Sequence, residues 1–326
     1  MKIIFFGTPH FAANILEFLL LKKTNVISVV TSVDSQKGRG KKISFSPVKK
    51  IALESSIPIL QPYDLNSIDF YKSLKNFNAD IFIVVAFRML PKKVWSIPKF
   101  GSINLHTSFL PNYRGAAPIN WVLINNEKYT GVTIFLINEK IDSGQIIIQE
   151  MVKLTNETTA GQLHDILIQK GNALLIKSLS LVKSNTVPFK KQVHDNKLKK
   201  APKIYKQMLK IDWSKNANEI HNLIRGFSPY ISENKILKNI SICPGVWFLL
   251  KDKSNRSLRI KILLSKIEDA EDKNHLKISS DNKSYFKINV YDKAISIIYL
   301  QSEGKKIMRI DQFLSGYKID NYHSIS

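Results

Sequence analysis

GSINLHTSFLPNYRGAAP, Gly101 to Pro118, decides how the chain is read, together with the later Lys140-Ile-Asp142-Ser-Gly144. The stretch follows the apolar run Ile81-Phe-Ile-Val-Val-Ala86 and a short loop, so an extended segment is expected at Asn104 to His106. Alternation along such a segment sends Asn104 and His106 to one face and Leu105 to the other. An amide donor and an imidazole therefore converge on one spot. Extended structure should stop at Pro111. Arg114-Gly-Ala-Ala-Pro118, with its glycine, small residues and second proline, suits a loop that packs its backbone closely against something.

A carbonyl under attack needs a donor for the oxyanion and a group that moves a proton, and Asn104 and His106 are the residue types for those roles. Asp142 lies in a turn after the β-rich run Gly131 to Ile137, where a strand end could bring its carboxylate beside the imidazole. The residues alone leave two readings open. Asn-x-His is a common spacing, and a single histidine is more often a hydrogen-bonded structural residue than a catalyst.

Working outward, Lys2 to Phe6 is an opening strand that Gly7-Thr-Pro9 turns into an apolar-faced helix, Phe11 to Leu21. This is the start of an α/β fold with a doubly wound, mostly parallel sheet. The turn lacks G-x-G-x-x-G, so no nicotinamide cofactor is expected. Val26 to Thr31 is a second strand, followed by a basic loop with Arg39 between two glycines, then Lys41 and Lys42, and a helix start at Ser46-Pro47 that carries Lys49. Ala79 to Ala86 reads as a buried parallel strand. Phe87, Met89 and Leu90 leave its C-terminal end, where open α/β sheets bind ligands; they either line a slot there or pack the loop. Thr155 to Lys183 has the spacing of one long helix, with a Thr-x-x-Thr start and Leu163, Ile166, Leu167, Leu174 and Leu175 along it.

Residues 1–188 are thus expected to form one domain and 189–206 a basic extended linker, since Pro188 to Lys206 holds seven lysines, Lys203 and Lys206 among them, against Asp195 alone. Residues 207–326 open with Ile211-Asp-Trp213 and a helix from Ala217 to Arg225. Short β-rich runs follow at Trp247 to Leu250, Leu258 to Leu264, Leu276 to Ser279, Tyr285 to Val290 and Ala294 to Leu300. Several short strands in a small basic domain suggest a β-barrel of the OB type.

Composition bounds the function. The 326 residues are 44% apolar, enough for two packed cores. Cys243 stands alone, which excludes an internal disulfide, and the histidines are scattered without metal spacing, so no metal is expected. No apolar run reaches transmembrane length and Asn14 and Glu17 interrupt the first one, so a cytoplasmic protein with no membrane association is expected. The net charge of +23 implies a polyanionic partner, against the bland alternative of lysine spread by codon bias. Residues 1–188 hold 22 basic and 12 acidic side chains and the shorter 189–326 hold 27 and 14, so the second part is denser in charge.

NLHTSFLPNYRGAAPINW, followed by TGVTIFL and IDSGQI, resembles the signature of the 10-formyltetrahydrofolate-dependent formyltransferases. The resemblance runs from the first strand to the last helix and implies 10-formyltetrahydrofolate as co-substrate. Asn104, His106 and Asp142 match the family's catalytic trio, and Ser108, Phe109, Leu110 and Pro111 match its folate-contacting tetrapeptide. It also favours the slot reading of Phe87, Met89 and Leu90. GRGKK before SPVK resembles the loop that members acting on charged initiator tRNA insert against the acceptor stem. That implies tRNA contacts at Arg39, Lys41, Lys42 and Lys49, with Lys203 and Lys206 beyond. The implied activity is formyl transfer to the methionine esterified to initiator tRNA, by a monomer. The alternative is a member acting on a nucleotide amino-sugar, which would not need the loop. The chain departs from the family at His10 and in INEKIDSGQ, where Asn138, Lys140 and Gln145 replace commoner residues.

Overall fold

The computed structural model describes residues 1–326 apart from 38–41, 194, 230, 233–234, 237–241, 273, 321–322 and 326. The chain divides into two compact units. The first comprises Met1–Pro118, Tyr129–Lys153 and His164–Pro202; the second comprises Ile119–Lys128, Leu154–Leu163 and Lys203–Ser326.

In the first unit β1 (Ile3–Gly7) leads into α1 (His10–Leu21), and β2 (Val26–Val30) into a hairpin of β3 (Ser35–Lys37) and β4 (Lys42–Ser44). Helix α2 (Pro47–Glu54), strand β5 (Ile59–Leu60), helix α3 (Ile68–Asn76) and strand β6 (Ile81–Val85) come next. Short α4 (Lys92–Trp95) precedes β7 (Ser102–His106), and β8 (Arg114–Gly115) is followed by α5 (Pro118–Ile124), which after Pro118 belongs to the second unit, and then by β9 (Tyr129–Leu136) and β10 (Ile146–Lys153). Helix α6 (Ala160–Lys183), from His164 onward, and the two-residue β11 (Lys200–Ala201) complete it. The sheet order is β10-β9-β7-β6-β1-β2-β5, parallel from β5 to β7 and antiparallel at β9 and β10. Every residue of β1 and of β6 is buried, as the unbroken apolar runs require for a sheet covered on both faces.

Two helix starts show what local chemistry decides. Helix α2 begins where Ser46-Pro47 places it, with Ser46 Oγ accepting from Lys49 N at 3.0 Å. Helix α6 starts one turn later than the spacing suggests. Thr159 and Gln162 form a reciprocal cap, Gln162 N to Thr159 Oγ1 at 3.2 Å and Thr159 N to Gln162 Oε1 at 2.9 Å. Thr155 and Thr158 close a separate turn instead, with Thr155 N donating to Thr158 Oγ1. Leu163, Leu167, Leu174 and Leu175 are buried along α6, but Ile166 lies on its open side.

The second unit holds α7 (Ala217–Gly226), the small pair β12 (Ile231–Ser232) and β13 (Lys235–Ile236), and β14 (Val246–Lys251), β15 (Ser257–Asp269), β16 (Ile278–Ser280), β17 (Phe286–Val290) and β18 (Lys293–Ser302). Strand β19 (Met308–Arg309), helix α8 (Ile310–Gly316) and strand β20 (Ser324–Ile325) end it. The antiparallel sheet runs β16-β17-β18-β15-β14-β20, with β19 beside β18, in a barrel-like arrangement of the OB type. Each of the five expected strands is present. Strand β15 extends well past Leu264, because its pairing to β18 slips at Leu264 and Ser265 and the bulge breaks the alternation that sequence reading follows. Trp213, Phe248, Phe286 and Phe313 fill the core, with Trp213 meeting Phe248 edge-on at 5.5 Å.

Arg225 on α7 is the largest fully buried side chain among the described residues. Its guanidinium donates to the carbonyls of Thr155, Thr158 and Leu123 and to the side-chain oxygens of Asn222 and Asn126, at 2.8 to 3.3 Å. One side chain thereby pins residues 119–128 and 154–163 to α7. Burial pushes its pKa below the usual arginine value, opposed by the charge of Glu157. Arg225→Ala strands these acceptors, and we expect urea unfolding of the variant to show a loss of about 3 to 5 kcal/mol.

Candidate active site

Strand β7 pairs with β6 on one side and β9 on the other, placing Asn104 opposite Val84 and Phe135, and His106 opposite Thr133. Leu105, on the alternate face, packs toward α1 and α6. A Cβ at Gly171 of α6 would lie 2.9 Å from Leu105 Cδ1. Asn104 is half-buried and His106 is 6% exposed.

The residues after β7 fold back onto the sheet. Thr133 Oγ1 donates to Ser108 O at 2.8 Å and accepts from Leu110 N at 3.2 Å, and Gln149 Nε2 donates to Leu110 O. Ser108 is fully buried, and its Oγ donates to Asn112 O at 2.7 Å. Leu110 is buried with Phe135 and Ile146, Phe109 lies half-buried against Gly131, and Pro111 follows a cis peptide. The four residues therefore form a fixed platform.

His106 Nε2 lies 2.9 Å from Tyr113 O; a carbonyl only accepts, so the ring nitrogen donates. That leaves Nδ1 facing Asp142 Oδ2 at 3.7 Å. The sequence expectation that a strand end would return Asp142 to the imidazole holds: the turn from β9 to β10 carries it there. Asp142 has a left-handed φ of +48°, and its Oδ2 accepts from Gly115 N at 2.8 Å. Asn138, one of the departures from the commoner motif, builds this turn, its Oδ1 accepting from Lys140 N and Ser143 Oγ. Gly144 is obligatory, since a Cβ there would stand 1.6 Å from Leu136 O.

Sequence reading missed the segment that closes the site. Residues 189–193 and 195–201 run beside it as a strap. Lys190 pairs with Ile146 through two backbone bonds, Tyr113 N donates to Lys199 O at 2.6 Å, and β11 pairs with β8. Gly115, at φ +125°, is where the backbones meet, and a Cβ would sit 2.5 Å from Ala201 O. This is the close approach expected of Arg114-Gly-Ala-Ala-Pro118. Gln192 Nε2 donates to Asp142 O at 3.0 Å and Gly144 O at 2.8 Å, while its Oε1 accepts from Arg114 Nε and Nη2 at 3.1 and 2.6 Å. Burial lowers the Arg114 pKa, opposed by the charge of Asp142. Nothing in the local sequence marks Gln192, which lies 50 residues from Asp142 amid lysines.

The remaining expected residues are spread more widely. Phe87 and Leu90 pack on the core of Phe6, Phe82 and Val84, whereas Met89 is 69% exposed at the C-terminal edge of β6. Lys42 sits in β4 opposite Lys37; Arg39 and Lys41 lie outside the described residues. Lys49 is committed within its own unit, its ammonium 2.6 Å from Asp34, 2.8 Å from Gln61 and 4.3 Å from the Phe45 ring centroid. Lys203 and Lys206 are exposed, the former over Tyr205 and the latter opening a 3-10 turn, Lys206–Leu209. Among the described residues no cluster of three histidine, cysteine or acidic side chains could hold a metal, and no helix is long and apolar enough to cross a membrane.

Asn104 and His106 thus share β7 at the C-terminal edge of the sheet, and the turn from β9 to β10 brings Asp142 to His106. The formyl transferase family matches residues 1–179 and the family of its C-terminal domain residues 203–318, and the chain belongs to this family. It is 43% identical over 317 residues to a methionyl-tRNA formyltransferase of Flavobacterium johnsoniae, covering 97% of this chain and 96% of that one. It is 37% identical to the Bacteroides thetaiotaomicron enzyme of the same name, covering 100% and 98%. Among solved structures, the sugar 3N-formyl transferase WlaRD superposes with a TM-score of 0.61 at 24% identity, over 94% of this chain and 99% of that one. HypX from Aquifex aeolicus, in complex with tetrahydrofolic acid, gives 0.62 at 14%, over 98% and 48%. These two show the shared fold.

Gly144→Ala forces the Asp142 turn away from β9. We expect a stability loss of about 1 to 3 kcal/mol by thermal unfolding and formyl transfer reduced at least about tenfold in the folded variant.

Proposed function

We propose that the chain transfers a formyl group from 10-formyltetrahydrofolate to the α-amino group of methionine esterified to initiator tRNA. The observation that carries this reading is the His106–Asp142 pair on the face of β7 shared by Asn104, in a chain whose full-length relatives are methionyl-tRNA formyltransferases. The amine attacks the formyl carbon and forms a tetrahedral intermediate. Asn104 and His106 stabilise its oxyanion, and His106, oriented by Asp142, helps move the proton from the attacking nitrogen to the departing tetrahydrofolate nitrogen. The Ser108 to Pro111 platform and the edge formed by Phe87, Met89 and Leu90 take the folate. Arg39, Lys41, Lys42, Lys203 and Lys206 supply cationic groups to the tRNA. Lys49 acts by fixing the base of the hairpin through Asp34 and Gln61. The protein works as a monomer in the cytoplasm, where charged tRNA is found.

Asn104 would stabilise a charge that exists only during reaction, so Asn104→Ala should lower kcat by about 10²- to 10³-fold and leave tRNA affinity unchanged. Formylation of charged initiator tRNA under saturating folate, beside filter binding, measures both. An unchanged kcat removes Asn104 from the mechanism.

Substrate class is tested at the GRGKK stretch. Replacing Arg39, Lys41 and Lys42 together by alanine should raise KM for charged tRNA and flatten its salt dependence, by about 0.7 to 0.9 in log-log slope for each phosphate that is no longer neutralised. A nucleotide amino-sugar offered in parallel should remain unmodified. Transfer to the sugar, with the parent KM and salt slope for tRNA retained, would reverse the assignment.

A further inference from the structure

The strap bonds directly to Asp142 and, through Tyr113, is linked to His106. Toward Asp142, the Gln192 carboxamide spans the turn, its nitrogen donating to the carbonyls of Asp142 and Gly144 and its oxygen accepting from Arg114. Arg114 is followed directly by Gly115, whose N–H holds the Asp142 carboxylate. Gln192 thus grips both the backbone that carries the carboxylate and the residue beside the donor that aims it. Toward His106, the acceptor of Nε2–H is the carbonyl of Tyr113, a residue held at φ +60° whose own N–H is bonded to Lys199 O of the strap.

We propose that Gln192 is a positioning residue for formyl transfer, acting through Asp142, and that it makes the strap a working part of the site. The inference rests on the formyl-transfer reading above. A side chain serving only to hold the strap down would need one bond to the nearest backbone. Gln192 instead uses donors and acceptor together on the two chain segments that define where the Asp142 carboxylate stands. Glutamine is suited to this and glutamate is not. A carboxylate keeps the acceptor for Arg114 but offers no hydrogen to two carbonyls and sets negative charge against them.

The test compares wild type, Gln192→Ala and Gln192→Glu in formylation of charged initiator tRNA by 10-formyltetrahydrofolate, with kcat and both KM values measured separately and thermal unfolding alongside. We expect both variants to lose kcat about tenfold, with KM for tRNA and for folate within about twofold of wild type and folding retained. Glutamate is the informative variant, because it is isosteric and keeps the Arg114 partner. If Gln192→Glu restores wild-type kcat, the bond to Arg114 is all that matters and the positioning role falls. Unchanged kcat in both variants overturns it as well, as does a loss confined to KM. Should Gln192→Ala fail to fold, Gln192→Glu decides alone. A wild type that does not formylate tRNA overturns the functional reading and this inference together, which separates that failure from a failure of Gln192.

Discussion

The site depends on β7 being hydrogen-bonded along both edges. A strand held by β6 and β9 cannot slide, and a one-residue slip would exchange its faces, turning Asn104 and His106 into the helix layer and Leu105 out toward the ligand edge. The packing of Leu105 at Gly171 adds a second lock from the opposite face, because a glycine lets the helix backbone come this near. Thr133, registered opposite His106, then uses its hydroxyl to fix the chain two to four residues beyond the histidine. Sheet register, helix packing and platform geometry are thus consequences of one pairing.

Left-handed residues occur along the whole chain, and three of them stand near this strand. Ala86, Tyr113 and Asp142 all have left-handed φ, at +47°, +60° and +48°. Aspartate tolerates that region better than alanine or a bulky tyrosine does, and each such residue costs on the order of 1 to 3 kcal/mol that surrounding bonds must offset. At Tyr113 the offsetting bonds are the ones to Lys199 and His106. At Asp142 they come from Gly115 and Gln192. The conformation is therefore over-determined where the chemistry needs fixed geometry, and the same bonds that sustain the strain orient the imidazole and the carboxylate.

The sequence made this much legible because the trio sits where periodicity and turn chemistry are unambiguous. Buried parallel strands read as continuous apolar runs, and Asp142 is followed closely by the glycine its turn demands. The strap was not legible for a physical reason. Its bonds to β8, to Ile146 and to Tyr113 are made by backbone, which no residue type announces, and its one specific side chain, Gln192, is surrounded by lysines that suggest a solvated linker. Strand β15 and the start of α6 were misjudged for a related cause. A bulge that breaks the alternation shifts one boundary, and two competing threonine caps shift the other.

The charge excess bears on the same geometry. With 49 basic and 26 acidic side chains, cations remain in excess even if every acid is paired, and the pairs that form, Lys92–Glu139 and Lys170–Glu150 among them, are exposed and worth little. Lysine number alone does not locate a phosphate site, as Lys49 demonstrates by turning its ammonium onto Asp34, Gln61 and Phe45. What distinguishes Lys190, Lys191, Lys197, Lys199 and Lys200 is that all are exposed while the backbone and the glutamine of their own segment are bonded to the site.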